Sequence, residues 1–156
     1  MSDARTKVVF DCVIFAQALI SDVGPAATCL RLARSRTIEL IWSDYVLQEI
    51  RELPAKLPAR LLVTTDRIEA FVQDVATFAT LRTGVAAVYH NPLDPDDSHY
   101  VDLAVAASAT IITSRDHHLL ELMNDATPHG REFRQRFPQI EVITPNALLK
   151  RVSASS

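Results

Sequence analysis

Cysteine is scarce: Cys12 and Cys29 are the only two in 156 residues, and they do not form a CxxC pair. Both stand in apolar stretches and read as reduced core thiols, so no disulfide framework is expected. No apolar run reaches membrane-spanning length. Residues 1–7 are polar and lead directly into a strand, without the apolar centre of a signal peptide. No membrane association is expected, and the expected location is cytoplasmic. Positive charge is also in short supply, with 16 Lys and Arg against 19 Asp and Glu and a net charge of −3. That excludes a nucleic-acid binder that relies on overall charge; such a partner needs a local patch or bound metal ions. There is no internal repeat and no low-complexity segment. What is present, 48% hydrophobic and 22% charged residues, is an ordinary globular composition and excludes a disordered chain. At this length one domain over residues 1–156, with a core of about 7–152, buries a single core without staples.

Strands and helices alternate along the chain. Lys7-Val8-Val9-Phe10 is a short apolar run that reads as a buried strand ending at Asp11. Ile14, Phe15, Ala18 and Leu19 then recur at helical spacing, and Pro25 is placed to open the next helix. Residues 38–42 read as the second strand, with Ser43 capping a helix from 44 to about 53. Pro54 and Pro58 break the chain. A long helix is predicted over 65–81 with Ile68, Phe71, Val72, Val75, Ala76 and Ala79 as its apolar face. A third strand is predicted at 85–89, an acidic proline loop at 91–97, a small-residue helix at 98–108 and a fourth strand at 110–113. A short helix at 116–123, a fifth strand at 141–143, a closing helix at 146–152 and a fraying tail from 153 complete the reading. The pattern predicts a three-layer α/β/α fold around a mostly parallel five-stranded sheet. In such sheets the site lies beyond the carboxyl ends of the strands.

Carboxylates gather at those ends. Asp11 follows strand one, Asp94, Asp96 and Asp97 precede the helix after strand three, and Asp116 follows strand four. Glu49 lies nearly two turns into the helix after strand two, from where its side chain leans back toward the strand ends. Each aspartate alone is also an ordinary helix cap. Together at one edge they would repel, and either a proton or a divalent cation must relieve them. Oxygen donors select Mg²⁺ or Mn²⁺.

The same segments resemble PIN-domain nucleases, in particular the toxin components of bacterial toxin–antitoxin systems. Val8-Val9-Phe10-Asp11-Cys12-Val13 is similar to the opening strand and first acid, and Ser43-Asp44-Tyr45-Val46-Leu47-Gln48-Glu49 to the helix with the second. Asp94-Pro95-Asp96-Asp97-Ser98-His99-Tyr100-Val101 is similar to the acidic loop whose last aspartate is the third. Ala109-Thr110-Ile111-Ile112-Thr113-Ser114-Arg115-Asp116 resembles the strand, hydroxyl residue and fourth acid, and Thr144-Pro145-Asn146-Ala147-Leu148-Leu149 the closing segment. The resemblance implies a metal-dependent endoribonuclease acting on RNA phosphodiesters. Asp11, Glu49, Asp97 and Asp116 would be its catalytic and metal-binding residues, with Ser114, Arg115 and Asp96 beside them. It also implies an antitoxin partner and a homodimer. One position departs: many relatives carry Asn two residues after the first acid, where this chain has Val13. The alternative is therefore a weakened scaffold that binds RNA or protein without cutting.

Other residues have plainer readings. Adjacent helical residues point about 100° apart, so His117 and His118 do not both reach one ion and are expected at a cap or in solvent, as is His99. Arg115 is a candidate phosphate contact. Arg31, Arg34 and Arg36 form either a solvated face or a backbone-binding rim. Arg131, Arg134 and Arg136 alternate with Phe133 and Phe137 and suit either nucleic-acid binding or a core anchor with a wet face. Trp42 and Phe71 are expected in the core or at an interface, not as base-stacking platforms. A haloacid-dehalogenase-type site needs a second Asp at position 13, and a receiver domain needs a Lys after its last core strand; both are disfavoured.

Overall fold

A computed structural model of the protein describes residues 5–155; the polar start, 1–4, and Ser156 lie outside the described residues. Its sheet contains β1 (Lys7–Phe10), β2 (Glu39–Ser43), β3 (Thr80–Arg82), β4 (Ile111–Thr113) and β5 (Glu141–Ile143). The order is β3-β2-β1-β4-β5, and every neighbouring pair is parallel. The mostly parallel sheet expected from sequence is wholly parallel among the described residues.

Between β1 and β2 run α1 (Cys12–Ile20) and α2 (Pro25–Arg34). Between β2 and β3 run α3 (Asp44–Arg51), α4 (Leu53–Lys56) and α5 (Thr65–Ala76). Then α6 (Ser98–Ala107) leads to β4, and α7 (His117–Leu120) and α8 (Pro128–Arg136) lead to β5, with α9 (Pro145–Ser155) last. The chain moves from β1 outward to β3, crosses to β4, then moves outward the other way. Right-handed crossovers therefore put α1–α5 on one face and α6–α8 on the other. The order reverses between β1 and β4, where a parallel sheet opens a crevice at its carboxyl edge. Asp11 and Asp116 follow these two strands.

Apolar strands buried on both faces seal the middle: Val8, Val9, Phe10, Leu40 and Ile112 have no exposed surface. Phe15 packs against Phe10, Trp42 and Phe71 with ring centroids 5.6, 5.9 and 6.4 Å away. Phe133 and Phe137 are buried with Tyr89, their centroids 5.4 and 5.5 Å from its ring, so these phenylalanines anchor the core. Cys12 and Cys29 are free thiols, the second buried.

Three expectations need correction. The helix read through 81 stops at Ala76, and the third strand is Thr80–Arg82, not 85–89. β3 is an edge strand with all three residues exposed, so it has no apolar pattern to betray it. Residues 85–89 are instead a loop reached through Gly84 at φ +64°, and the buried Asp102 carboxylate accepts the Val88 and Tyr89 amides at 2.8 and 2.9 Å. The break expected at Pro54 is present: α3 stops at Arg51, and Pro54 sits in the first turn of the separate α4, where no amide donor is needed. The closing helix runs on to Ser155 where fraying was expected. No single helix among the described residues is long and apolar enough to cross a membrane.

Candidate active site

Asp11 is 2% exposed. Its extended backbone ends β1, and its Oδ1 caps α1 by accepting the Ile14 amide at 3.2 Å. Its other oxygen takes a hydrogen bond from the Ser114 hydroxyl, whose Oγ also accepts the Asp116 amide at 2.8 Å. Ser114, fully buried, thus joins the acids after β1 and β4. Burial pushes the Asp11 carboxyl up to about 6; the Ser114 and backbone hydrogen bonds oppose that and the charge of Asp116 adds to it.

Asp116 caps α7, accepting the His118 amide at 2.8 Å. Asp94 opens a 3-10 turn, Pro95–Asp97, by accepting the Asp96 amide at 3.1 Å. The turn carries Asp97 inward and leaves Asp96 exposed. Asp94, Asp97, Asp116 and His118 each offer one ligand atom, all within 4.8 Å of one another. The His118 Nδ1 lies 3.6 Å from Asp94 and 3.7 Å from Asp116. The Asp97 carboxyl is pushed up to about 8, first by burial, then by sharing a hydrogen bond with the Asp116 carboxyl, then by the charges of Asp116, Asp94 and Asp11. Its Oδ2 is buried without a hydrogen-bond partner. An orphaned carboxylate oxygen among like charges fits a divalent cation, and the carboxylate-rich donor set suits a hard one.

Glu49 reaches the same edge from α3 but stands apart from this tight group. Its Oε1 accepts the Tyr100 hydroxyl at 2.6 Å, and the Tyr100 oxygen accepts the Cys12 amide at 2.9 Å. The His99 Nε2 is 3.2 Å from the same Oε1, although not aligned for a hydrogen bond. Charge from both Glu49 and Asp11 reaches Cys12; burial and these two carboxylates hold its thiol up at about 12. Tyr100→Phe removes the one hydroxyl that ties Glu49 to the start of α1. The expected result is about 10–100-fold weaker Mn²⁺ binding with the fold retained, read by calorimetry beside a thermal melt. Unchanged Mn²⁺ affinity with a lowered melting temperature would make Tyr100 a packing residue only.

Sequence reasoning left Asp94 out of the metal-binding set and placed His118 at a cap or in solvent; both stand in the tight group. The argument that two adjacent histidines cannot share one ion was sound for the pair. It did not bear on one of them beside Asp116. Arg115 is exposed next to Asp116. The other candidate arginines are engaged elsewhere. Arg34 forms a fork with Asp74, one arm at 2.9 Å, and Arg31 and Arg36 donate to the Asp22 and Thr77 carbonyls at 2.9 and 3.2 Å. Arg34 ends α2 and Arg36 follows it where the chain feeds the amino end of β2, so these two sit at the sheet edge opposite the acids. Arg136 donates to the Val88 carbonyl, and Arg134 pairs with Asp125 at 3.2 Å.

Among curated proteins none matches the chain. The crystal structure of VapBC2 from Rickettsia felis bound to a DNA fragment from their promoter contains a similar chain, with a TM-score of 0.55 and 11% identity. The similarity covers 89% of this chain and 98% of that one, and at such identity it shows a shared fold. The PIN domain family profile matches residues 7–118, a stretch that runs from β1 through Asp116 and so takes in Asp11, Glu49, Asp94, Asp97 and Asp116. The chain belongs to the PIN domain family.

Proposed function

We propose that the protein is a Mg²⁺- or Mn²⁺-dependent endoribonuclease, the toxin of a toxin–antitoxin pair acting in the cytoplasm. The observation that carries this reading is Asp97: a carboxyl held up at about 8, with a buried unpartnered oxygen, among the carboxylates of Asp94, Asp116 and Asp11. Membership of the PIN family supports it, and so does the likeness in fold to a chain of a VapBC2 assembly.

Asp97, Asp116, Asp94 and His118 would hold the cation, with Asp11 behind Ser114 and Glu49 across Tyr100. A divalent ion bound there supplies positive charge that polarises a phosphodiester and acidifies a water. The chain's own groups do the rest of the positioning. Ser114 orients Asp11 and fixes the Asp116 backbone. Tyr100 orients Glu49. Arg115, exposed beside Asp116, offers a two-pronged donor to a phosphate oxygen. Without a cation, Asp97 keeps a proton at neutral pH. A cognate antitoxin that covers the acidic edge, and a homodimer, belong to the same reading.

The test is cleavage of a fluorescent single-stranded RNA with Mn²⁺ or Mg²⁺, with EDTA and single-stranded DNA as controls. RNA cleavage that stops in EDTA is expected. Folded protein that cuts no RNA with either ion would leave the binding scaffold as the better reading. Val13 is 43% exposed one residue into α1, so Val13→Asn buries no unpartnered amide. The expected result is about 10–100-fold higher turnover at unchanged stability, because an added amide can steady a neighbouring carboxylate. Equal turnover would show that this site works without it.

A further inference from the structure

A cavity of about 500 Å³ opens beside Glu49, within the size of ordinary small-ligand sites. One wall is a single face of α3, where Tyr45, Gln48 and Glu49 stand at helical spacing and the capping residue Glu52 continues the row. His99 lies against that face, and Asp96 with the loop residues Val85 and Ala87 completes the lining. Tyr45 is 66% exposed, yet its ring is not loose. It stacks on His99 with centroids 5.4 Å apart and planes 27° from parallel, and His99 in turn rests 4.0 Å from the buried Tyr100 ring. Three rings therefore hold a large aromatic face open to solvent next to a proposed catalytic carboxylate.

We propose that this cavity seats one unpaired nucleobase of the substrate RNA, the nucleotide beside the cleaved phosphate, with Tyr45 as its stacking platform. The placement beside the cleaved bond rests on the ribonuclease reading above. The lining charge decides which part of the nucleotide enters. Glu49, Glu52, Asp96 and Asp102 stand against one lysine, Lys56, paired with Glu52 at 3.3 Å, and against His99, 3.2 Å from Glu49. Phosphate is repelled from such a lining, whereas a base stacks on an aromatic ring whatever its sequence. Carboxylates accept from exocyclic amino groups, so adenine and cytosine are favoured over uracil, which has no amino group and flanks its single N3 donor with two carbonyls.

The test has two arms. In the first, oligouridylates with one central adenine or cytosine are compared with plain oligouridylate as Mn²⁺-dependent substrates. The wild type should cut the amino-bearing oligomers with about tenfold higher kcat/KM. Tyr45→Ala should bring them down to the plain level, and Tyr45→Phe should keep the preference. In the second, adenosine, cytidine, uridine and arginine amide are titrated into the metal-free protein, with the Tyr45 and His99 ring signals followed by NMR. Adenosine and cytidine should shift both rings more tightly than uridine. An active enzyme with no base preference, or with one that survives Tyr45→Ala, overturns the proposal. If no RNA is cut at all, the ribonuclease reading fails and the nucleosides decide: their binding at Tyr45 sustains a nucleobase site. Binding of arginine amide alone refutes it in favour of a basic protein segment.

Discussion

Asp116→Asn is expected to lower Mn²⁺-dependent RNA cleavage by about 10²–10³-fold or more, because it removes one charge from the tightest part of the acidic group. Folding should survive. The cap on α7 needs only an acceptor for the His118 amide, and an asparagine oxygen provides one as well as aspartate does. Without metal the melting temperature should be equal or higher. Asp116 is the source of the shared hydrogen bond and the strongest neighbouring charge that hold the Asp97 carboxyl up. Removing that charge relieves repulsion that the metal-free fold otherwise carries. The measurements are kcat/KM against Mn²⁺ concentration and thermal melts in EDTA. A variant that melts earlier yet cuts normally would show that Asp116 serves as a helix cap and nothing more.

Cation affinity should climb steeply with pH. A divalent ion entering the cluster must displace the proton that Asp97 holds up to about pH 8, and below about pH 6 a second one from Asp11. One proton exchanged per ion gives close to tenfold per pH unit, so Mn²⁺ should bind about 50–100-fold more tightly at pH 8 than at pH 6 and level off above that. The stability of the metal-free protein follows the opposite course. Both carboxyls have folded-state values above their unfolded 3.8, so their contribution is full below about pH 4. It is lost as pH rises through about 6 and then about 8. Added Mn²⁺ should therefore raise the melting temperature more at pH 8 than at pH 6. Calorimetry in buffers of different ionisation enthalpy counts the released protons. Asp97→Asn should flatten the pH dependence of binding, and a pH-independent affinity in the parent protein would refute this account of the cluster.

Legibility followed the range of the interactions involved. Asp11 and Asp116 could be read from sequence because each does two local things at once: it follows a strand within three residues and caps the helix that comes next. Of the three aspartates in Asp94-Pro95-Asp96-Asp97, the family resemblance marked the last as the metal-binding one. It could not show that Asp94, by starting the 3-10 turn, would join it while Asp96 turned outward. β3 escaped notice because an edge strand with every residue exposed lacks the periodicity that burial imposes.

The alternation of apolar strands with capped helices, and the acids placed straight after β1 and β4, were determined by sequence alone. They depend on hydrogen bonds and hydrophobic spacing within a few residues. Only the tertiary structure decided what those acids meet. Tyr100 reaches Glu49 across 51 positions, and Ser114 reaches Asp11 across 103. Arg34 and Arg36 were carried to the edge away from the acids, because a helix between parallel strands ends where the next strand begins. Such contacts have no local signature: they are set by strand order, and strand order is settled by how the whole core packs.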